Sequence, residues 1–162
     1  MPRWMAILGF YRLTLMNFAM NVSKFVLHRF DRISYVNLNS RQKENYAYQK
    51  VSAVLTDYGF VTMRLSDDWQ GADFIAQHID GKTMLRVQLK GRMTIEKKYL
   101  GKDLYICFRE KEQWYFVPHD EFVEWARVNT TICTSFSWAK NGGYSVPSLS
   151  VAIKAHLEQY RI

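Results

Sequence analysis

The segment from residue 71 to 92, GADFIAQHIDGKTMLRVQLKGR, constrains the fold more than any other part of this sequence. Two mostly apolar stretches, DFIAQHI and TMLRVQLK, flank the dipeptide Asp80-Gly81. An Asp-Gly pair in this position is a strong signal for a two-residue β-turn, because glycine adopts positive φ without steric cost. We therefore predict an antiparallel β-hairpin.

Three polar side chains interrupt the apolar pattern of this hairpin. Successive side chains point to opposite faces of a strand, so Gln88 and Lys90 share one face and lie about 7 Å apart. A tight turn brings Asp73 opposite residues 88 to 90. A carboxylate, an amide and an ammonium are thus predicted to converge, although a solvated sheet face also shows alternating polar residues.

A helix is predicted before the hairpin, between the capping residues Asn39 and Ser40 and the terminating Gly59. Glu44 projects along the apolar side of this helix, close to Val51. It is either a first-turn acid favoured by the helix dipole or a carboxylate delivered to the edge of a buried sheet. The apolar face of the helix is formed by Ala47, Val51, Val54, Leu55 and Tyr58.

The rest of the chain supplies further strands and helices. Residues 60–65 are predicted as a strand and residues 66–71 as a loop, while DLYICF and WYFVP extend the sheet. Helical patterns cover residues 119–128 and 148–162, and Leu149, Ile153, Leu157 and Tyr160 share one face of the second. Adjacent residues do not face each other on a helix, so His119 and Asp120 are not expected to form a catalytic dyad. The fold class is α/β, with a central mixed β-sheet flanked by helices.

This combination resembles the PD-(D/E)xK nuclease superfamily, which has the restriction-endonuclease-like fold. Asp73 matches the aspartate of the motif, Gln88-Leu89-Lys90 matches its second part in a Gln-x-Lys variant, and Glu44 matches the helix acid. The resemblance covers roughly residues 40 to 125. The sequence departs from the motif at Gln88, where glutamate is commoner, and at Ala72, where a proline is usual.

The resemblance implies a metal-dependent endonuclease that hydrolyses DNA phosphodiester bonds with Mg²⁺ or Mn²⁺. Asp73, Gln88, the backbone carbonyl of Leu89 and Glu44 would hold the metal, which prefers oxygen ligands. Lys90 would orient the attacking water or neutralise the charge that develops on the phosphate. Asp73, Gln88, Lys90 and Glu44 are therefore the expected catalytic residues.

The charge of the chain favours a polyanionic partner. The formal net charge is +7, and from Lys82 to Lys102 seven basic residues face one acid, Glu96. We predict a basic loop over residues 91–103 whose cations contact the DNA backbone, with an ordinary solvated loop as the alternative. The predicted contacts are Arg92, Lys97, Lys98 and Lys102.

Residues 1–36 differ in composition from the rest of the chain, since they are rich in Met, Phe and Leu. We expect them to be an N-terminal extension, or sequence translated upstream of a true start at Met20. The predicted nuclease domain covers residues 37–162. A membrane helix needs about 20 uninterrupted apolar residues, and Arg12 and Asn17 interrupt this segment, so no stable membrane association is expected. Cys107 and Cys133 lack metal-ligand spacing, which fits a reducing, cytoplasmic setting.

Two other functions are compatible with the same pattern. A nuclease-like module that only binds nucleic acid would also tolerate glutamine at the metal position, and a regulatory subunit could carry an incidental basic face. Cleavage of both DNA strands usually requires two active sites, so a homodimer is an alternative to a monomer.

Overall fold

The computed structural model describes residues 31–162, and the predictions for the first 30 residues lie outside them. Ser40–Ile162 forms one compact unit, while the described residues before it contain a 3₁₀ turn at Tyr35–Asn37. No helix within residues 31–162 is long and apolar enough to cross a membrane.

The compact unit contains three α-helices and seven β-strands. The helices are α1 (Ser40–Asp57), α2 (His119–Asn129) and α3 (Val151–Leu157). The strands are β1 (Phe60–Trp69), β2 (Ala72–His78), β3 (Met84–Lys90), β4 (Thr94–Glu96), β5 (Leu104–Glu110), β6 (Gln113–Pro118) and β7 (Gly143–Ser145).

Five of the strands form a mixed sheet in the order β1-β2-β3-β5-β6. Only β3 and β5 are parallel, and the other neighbours run antiparallel. The strands β4 and β7 pair with each other in a separate small sheet. The predicted α/β fold, with a mixed sheet and flanking helices, is confirmed.

Each face of the main sheet carries its own apolar core. Val51 and Leu55 of α1 pack on one face, against Phe74 and Val87. The opposite face is covered by α2, α3 and the segment around β4. Tyr58 was predicted on the buried face of α1 but is 52% exposed, because the helix ends at Asp57 and the chain turns away.

The predicted loop at residues 66–71 is wrong, because β1 continues to Trp69 and pairs with Ala72. The turn consists of Gln70 and Gly71, both with positive φ (55° and 97°), as a type I′ hairpin turn requires. β1 lies at the edge of the sheet, and edge strands tolerate polar residues. The polar end of β1 therefore has a composition that is typical of a loop.

The hairpin of β2 and β3 is confirmed, with Phe74 opposite Val87, but its predicted two-residue turn is wrong. The connection spans residues 79–83, and the Asp80 carboxylate accepts hydrogen bonds from the backbone N–H groups of Lys82 and Thr83, each at 2.8 Å. The bonds from Thr83 and Lys82 hold the pKa of Asp80 well below its ordinary value. The side chain therefore organises a wider turn than the Asp-Gly signal predicts.

The predicted basic loop over residues 91–103 is a structured segment instead. Met93 and Ile95 are fully buried and Tyr99 is 1% exposed. The residue before β4, the central residue of β4 and the last residue of the following 3₁₀ turn, Lys97–Tyr99, therefore enter the core. This segment brings Glu96 and Tyr99 to the end of β3.

Candidate active site

Asp73 and Gln88 face each other across the ends of β2 and β3. Asp73 Oδ2 accepts a hydrogen bond from Gln88 Nε2 at 2.5 Å and another from the backbone N–H of Leu89 at 2.7 Å. Gln88 is only 7% exposed, so its amide has little access to water. The carboxylate and the amide therefore meet, as the strand periodicity predicts.

The Tyr99 hydroxyl joins Gln88 to Lys90. It donates to Gln88 Oε1 at 3.0 Å and accepts from Lys90 Nζ at 3.1 Å. Its ring is held tightly, because a Cβ atom added at Gly71 would lie 2.8 Å from Tyr99 Cε1. Absence of a side chain at Gly71 thus allows Tyr99 to reach the site.

Lys90 forms an ion pair with Glu96, with 2.9 Å between Nζ and Oε1. The other oxygen of Glu96 lies 3.0 Å from Lys98 Nζ. Burial lowers the pKa of Lys90, but the hydrogen bonds with Glu96 and Tyr99 outweigh burial and raise it overall. Burial likewise raises the pKa of Glu96, and the bonds from Lys90 and Lys98 bring it below the ordinary value.

His119 holds the backbone of Glu96 through a hydrogen bond. The ring is fully buried, and its Nε2 accepts a hydrogen bond from the backbone N–H of Glu96 at 3.2 Å. Its Nδ1 lies 2.7 Å from Asp120 Oδ1, and burial lowers the pKa of the imidazole. The two side chains are hydrogen-bonded in the first turn of α2, although adjacent residues of a helix were not expected to face each other.

Glu44 reaches the site from the other side of the sheet. Its side chain is half exposed and forms an ion pair with Arg64, so it is partly solvated and not a buried carboxylate, but it lies beyond the first turn of α1. Glu44 and Asp73 nevertheless line the same open cleft of about 850 Å³, together with Arg41 and Arg64. With Asp67, which also lines it, the cleft brings three carboxylates and two guanidinium groups to one end of the sheet.

The predicted DNA-contacting cations differ in their surroundings. Arg92, Lys97 and Lys98 are exposed and Lys102 is partly buried. Lys97 Nζ lies 5.6 Å from the centre of the Trp138 ring, and Lys98 pairs with Glu96. The four cations therefore do not form an unstructured basic loop.

The oxygen atoms around Asp73 are of the type that Mg²⁺ prefers. The Gln88 amide nitrogen lies 2.5 Å from Asp73 Oδ2 and 3.5 Å from the Leu89 carbonyl oxygen, so a positively polarised group is already held between two oxygens. Among residues 31–162, no three acidic, histidine or cysteine side chains are grouped to hold a metal. Mg²⁺ commonly uses one or two carboxylates with water and substrate phosphate. Asp73 and Glu44, the two predicted carboxylate ligands, both line the cleft.

Sequence reasoning missed three residues that support the site: Glu96, Tyr99 and His119. Of these, only Glu96 carried a signal, as the single acid within a basic stretch. Tyr99 and His119 have no distinguishing spacing, because their contacts depend on the packing of distant segments.

No protein-family model and no curated protein matches this chain. One similar solved structure is Hjc, a Holliday junction resolvase from Archaeoglobus fulgidus, with a TM-score of 0.36 and 16% identity over 46% of this chain and 70% of the other. Another is the bacterial homing endonuclease I-Ssp6803I, with a TM-score of 0.41 and 18% identity over 52% of this chain and 69% of the other. Both likenesses are distant, and neither assigns the chain to a family.

Proposed function

We propose that this protein is a metal-dependent endonuclease that hydrolyses phosphodiester bonds of DNA. The observation that carries the proposal is the arrangement of Asp73, Gln88 and Lys90 at the ends of two neighbouring strands. Asp73 accepts a hydrogen bond from Gln88 and lines an open cleft, and the Tyr99 hydroxyl links Gln88 to Lys90. A carboxylate and an ammonium so placed suit the hydrolysis of an anionic ester, which needs a cation and a proton donor near the phosphate.

Each residue has a proposed role. Asp73, the Leu89 carbonyl and Glu44 would hold Mg²⁺ or Mn²⁺. Gln88, the fourth predicted ligand, directs its amide nitrogen to Asp73 and its oxygen to Tyr99, so we propose it as a neutral neighbour of the metal instead. The metal would supply an activated water and charge neutralisation. Lys90, which its environment keeps protonated at neutral pH, would stabilise negative charge on the phosphate or orient the attacking water.

One observation favours a rival function. Asp73 Oδ2 is satisfied by Gln88 and Leu89 through two short hydrogen bonds, so this part of the site is stable without a cation. The same arrangement is compatible with a protein that binds nucleic acid through its positive charge and does not cleave it. The two functions differ in cleavage, which is therefore the property to measure.

The first prediction concerns cleavage of supercoiled plasmid DNA. We expect nicking with Mg²⁺ or Mn²⁺ and none with EDTA. Asp73→Asn and Lys90→Met should each reduce the rate at least about 100-fold, since they remove a metal ligand and a charge that acts in the transition state. Electrophoresis of the plasmid against time measures the rate.

Matched variants at exposed positions, Asp103→Asn and Lys154→Met, should retain the wild-type rate. Accumulation of linear plasmid without free nicked circles would indicate a homodimer, because one site cuts one strand at a time. Wild-type protein that binds DNA but cleaves no plasmid with either ion would leave the binding function in place of the nuclease.

A further inference from the structure

A continuous series of hydrogen bonds runs from Glu96 through Lys90, Tyr99 and Gln88 to Asp73. The four distances along it are 2.9, 3.1, 3.0 and 2.5 Å. Its two ends are carboxylates, and the groups between them are largely shielded from water. A shielded series of this kind transmits a change at one end to the other, because each group has few alternative partners.

The chemistry of the donors fixes the direction of the series. An ammonium only donates, so Lys90 must donate to the oxygen of Tyr99. The Tyr99 hydroxyl proton is then directed to Gln88 Oε1, and this in turn points the amide nitrogen of Gln88 toward Asp73. The hydrogen bond from Lys90 to Tyr99 therefore sets the orientation of the Gln88 amide.

Glu96 is the group that holds Lys90 in this place. The Lys90 side chain is 22% exposed, and its Nζ lies 2.9 Å from Glu96 Oε1. Glu96 is itself fixed from two sides, by Lys98 at its second oxygen and by His119 at its backbone N–H. The charged or titratable groups facing Lys90 are Glu96 and Tyr99, with Lys98 against the other oxygen of Glu96 and over the Tyr99 ring.

We propose that Glu96 is a positioning residue, which together with the Tyr99 hydroxyl holds the Lys90 ammonium in place and orients the Gln88 amide toward Asp73. Glu96 acts through Lys90 and does not contact the phosphate. The effect on cleavage rests on the proposed nuclease function, whereas the effect on Lys90 itself does not.

The proposal is tested by Glu96→Gln, which keeps the size of the side chain and removes its charge. The pKa of Lys90 is measured from the ¹³C shift of its ε-carbon during a pH titration of lysine-labelled protein, with the resonance assigned by Lys90→Arg. We expect the pKa to fall below the wild-type value, because burial remains and the opposite charge is lost. Glu112→Gln, which removes an exposed partner of Arg109, should leave it unchanged.

Cleavage provides the second readout. We expect Glu96→Gln to lower kcat by up to about 100-fold with little change in KM, because a small displacement of an acting group has effects of this size. The alkaline limb of the pH–rate profile should also move to lower pH, since Lys90 loses its proton earlier. Glu96→Asp, which keeps the charge on a shorter side chain, should recover part of the loss.

Tyr99→Phe gives a test that preserves the ring packed against Gly71. It should lower the pKa of Lys90, and it should free the Gln88 amide, which amide ¹⁵N relaxation measures as greater mobility. Unchanged Lys90 titration and unchanged Gln88 mobility in both variants would overturn the proposal. If wild-type protein cleaves no DNA, the nuclease function fails while these two measurements still decide the role of Glu96.

Discussion

Gln88 determines whether the Asp73 carboxylate is stabilised when no metal is bound. An amide N–H group beside a carboxylate makes a favourable hydrogen bond, whereas two carboxylates at the same separation repel each other. The Gln88 amide is nearly buried, so solvent weakens this interaction little. Glutamine in place of the commoner glutamate thus lowers the negative charge of the site and reduces its need for a cation.

The second prediction follows from Gln88→Glu. Without divalent ions the introduced carboxylate should destabilise the fold by about 2 kcal/mol at neutral pH, because it faces Asp73 at hydrogen-bond distance in a nearly buried place. Mn²⁺ at about 100 times its dissociation constant should restore about 2.7 kcal/mol. Urea unfolding with EDTA and with Mn²⁺ measures both effects.

Gln113→Glu is the matched control, because Gln113 is exposed at the start of β6. Its midpoint should differ little from wild type, and Mn²⁺ should not change that difference. If Mn²⁺ stabilises neither Gln88→Glu nor wild type, the oxygens around Asp73 do not form a metal site.

At the scale of elements, the turn between β1 and β2 determines where Tyr99 lies. Gly71 combines a positive φ with a close approach to the Tyr99 ring and to Leu104. Gly81, in the next connection, also has a positive φ, but no atom lies within 4 Å of the position its Cβ would occupy. A comparison of substitutions at the two glycines thus separates the free-energy cost of a left-handed backbone from the cost of a steric clash.

The third prediction compares Gly71→Ala with Gly81→Ala. Gly81→Ala should cost about 1 kcal/mol, the penalty of left-handed backbone for alanine. Gly71→Ala should cost about 3 kcal/mol or more, because displacement of Tyr99 and overpacking are added to the same penalty. Urea unfolding measures both, and equal losses would contradict the role assigned to the contact with Tyr99.

Local patterns were sufficient for the elements whose partners are close in sequence. Alternating side chains in β2 and β3 predicted that Asp73 and Gln88 meet, since a hairpin brings neighbouring segments together. They were insufficient for β4, whose partner β7 lies almost 50 residues away, with Ile95 paired to Tyr144. Tyr99 could not be recognised for the same reason, and the lone acid Glu96 could not be placed in the site, because the position of both depends on that distant pairing.

Across the whole molecule, the positive charge is unevenly compensated. Glu96 pairs with both Lys90 and Lys98, so part of the basic stretch is neutralised inside the protein. Within residues 31–162, Arg92 and Lys102 form no ion pair with a carboxylate. Arg92 and Lys102 are therefore more available to bind phosphate than Lys90 and Lys98, whose charge is already compensated.

The fourth prediction concerns the salt dependence of binding to duplex DNA in EDTA, where no cleavage occurs. If Arg92 and Lys102 contact phosphates, the double variant Arg92→Ala/Lys102→Ala should flatten the slope of log affinity against log salt by about 2, since each neutralised phosphate contributes about 0.9. Lys98→Ala should flatten it by less than 0.9, roughly half of a full contact, because Glu96 competes for its charge. Fluorescence anisotropy of a labelled duplex at several salt concentrations measures these slopes.

The control Lys50→Ala/Lys154→Ala removes the same charge from the exposed surfaces of α1 and α3. Equal slopes for the two double variants would show that net charge alone attracts DNA, and that the surface beside the site has no special part in binding.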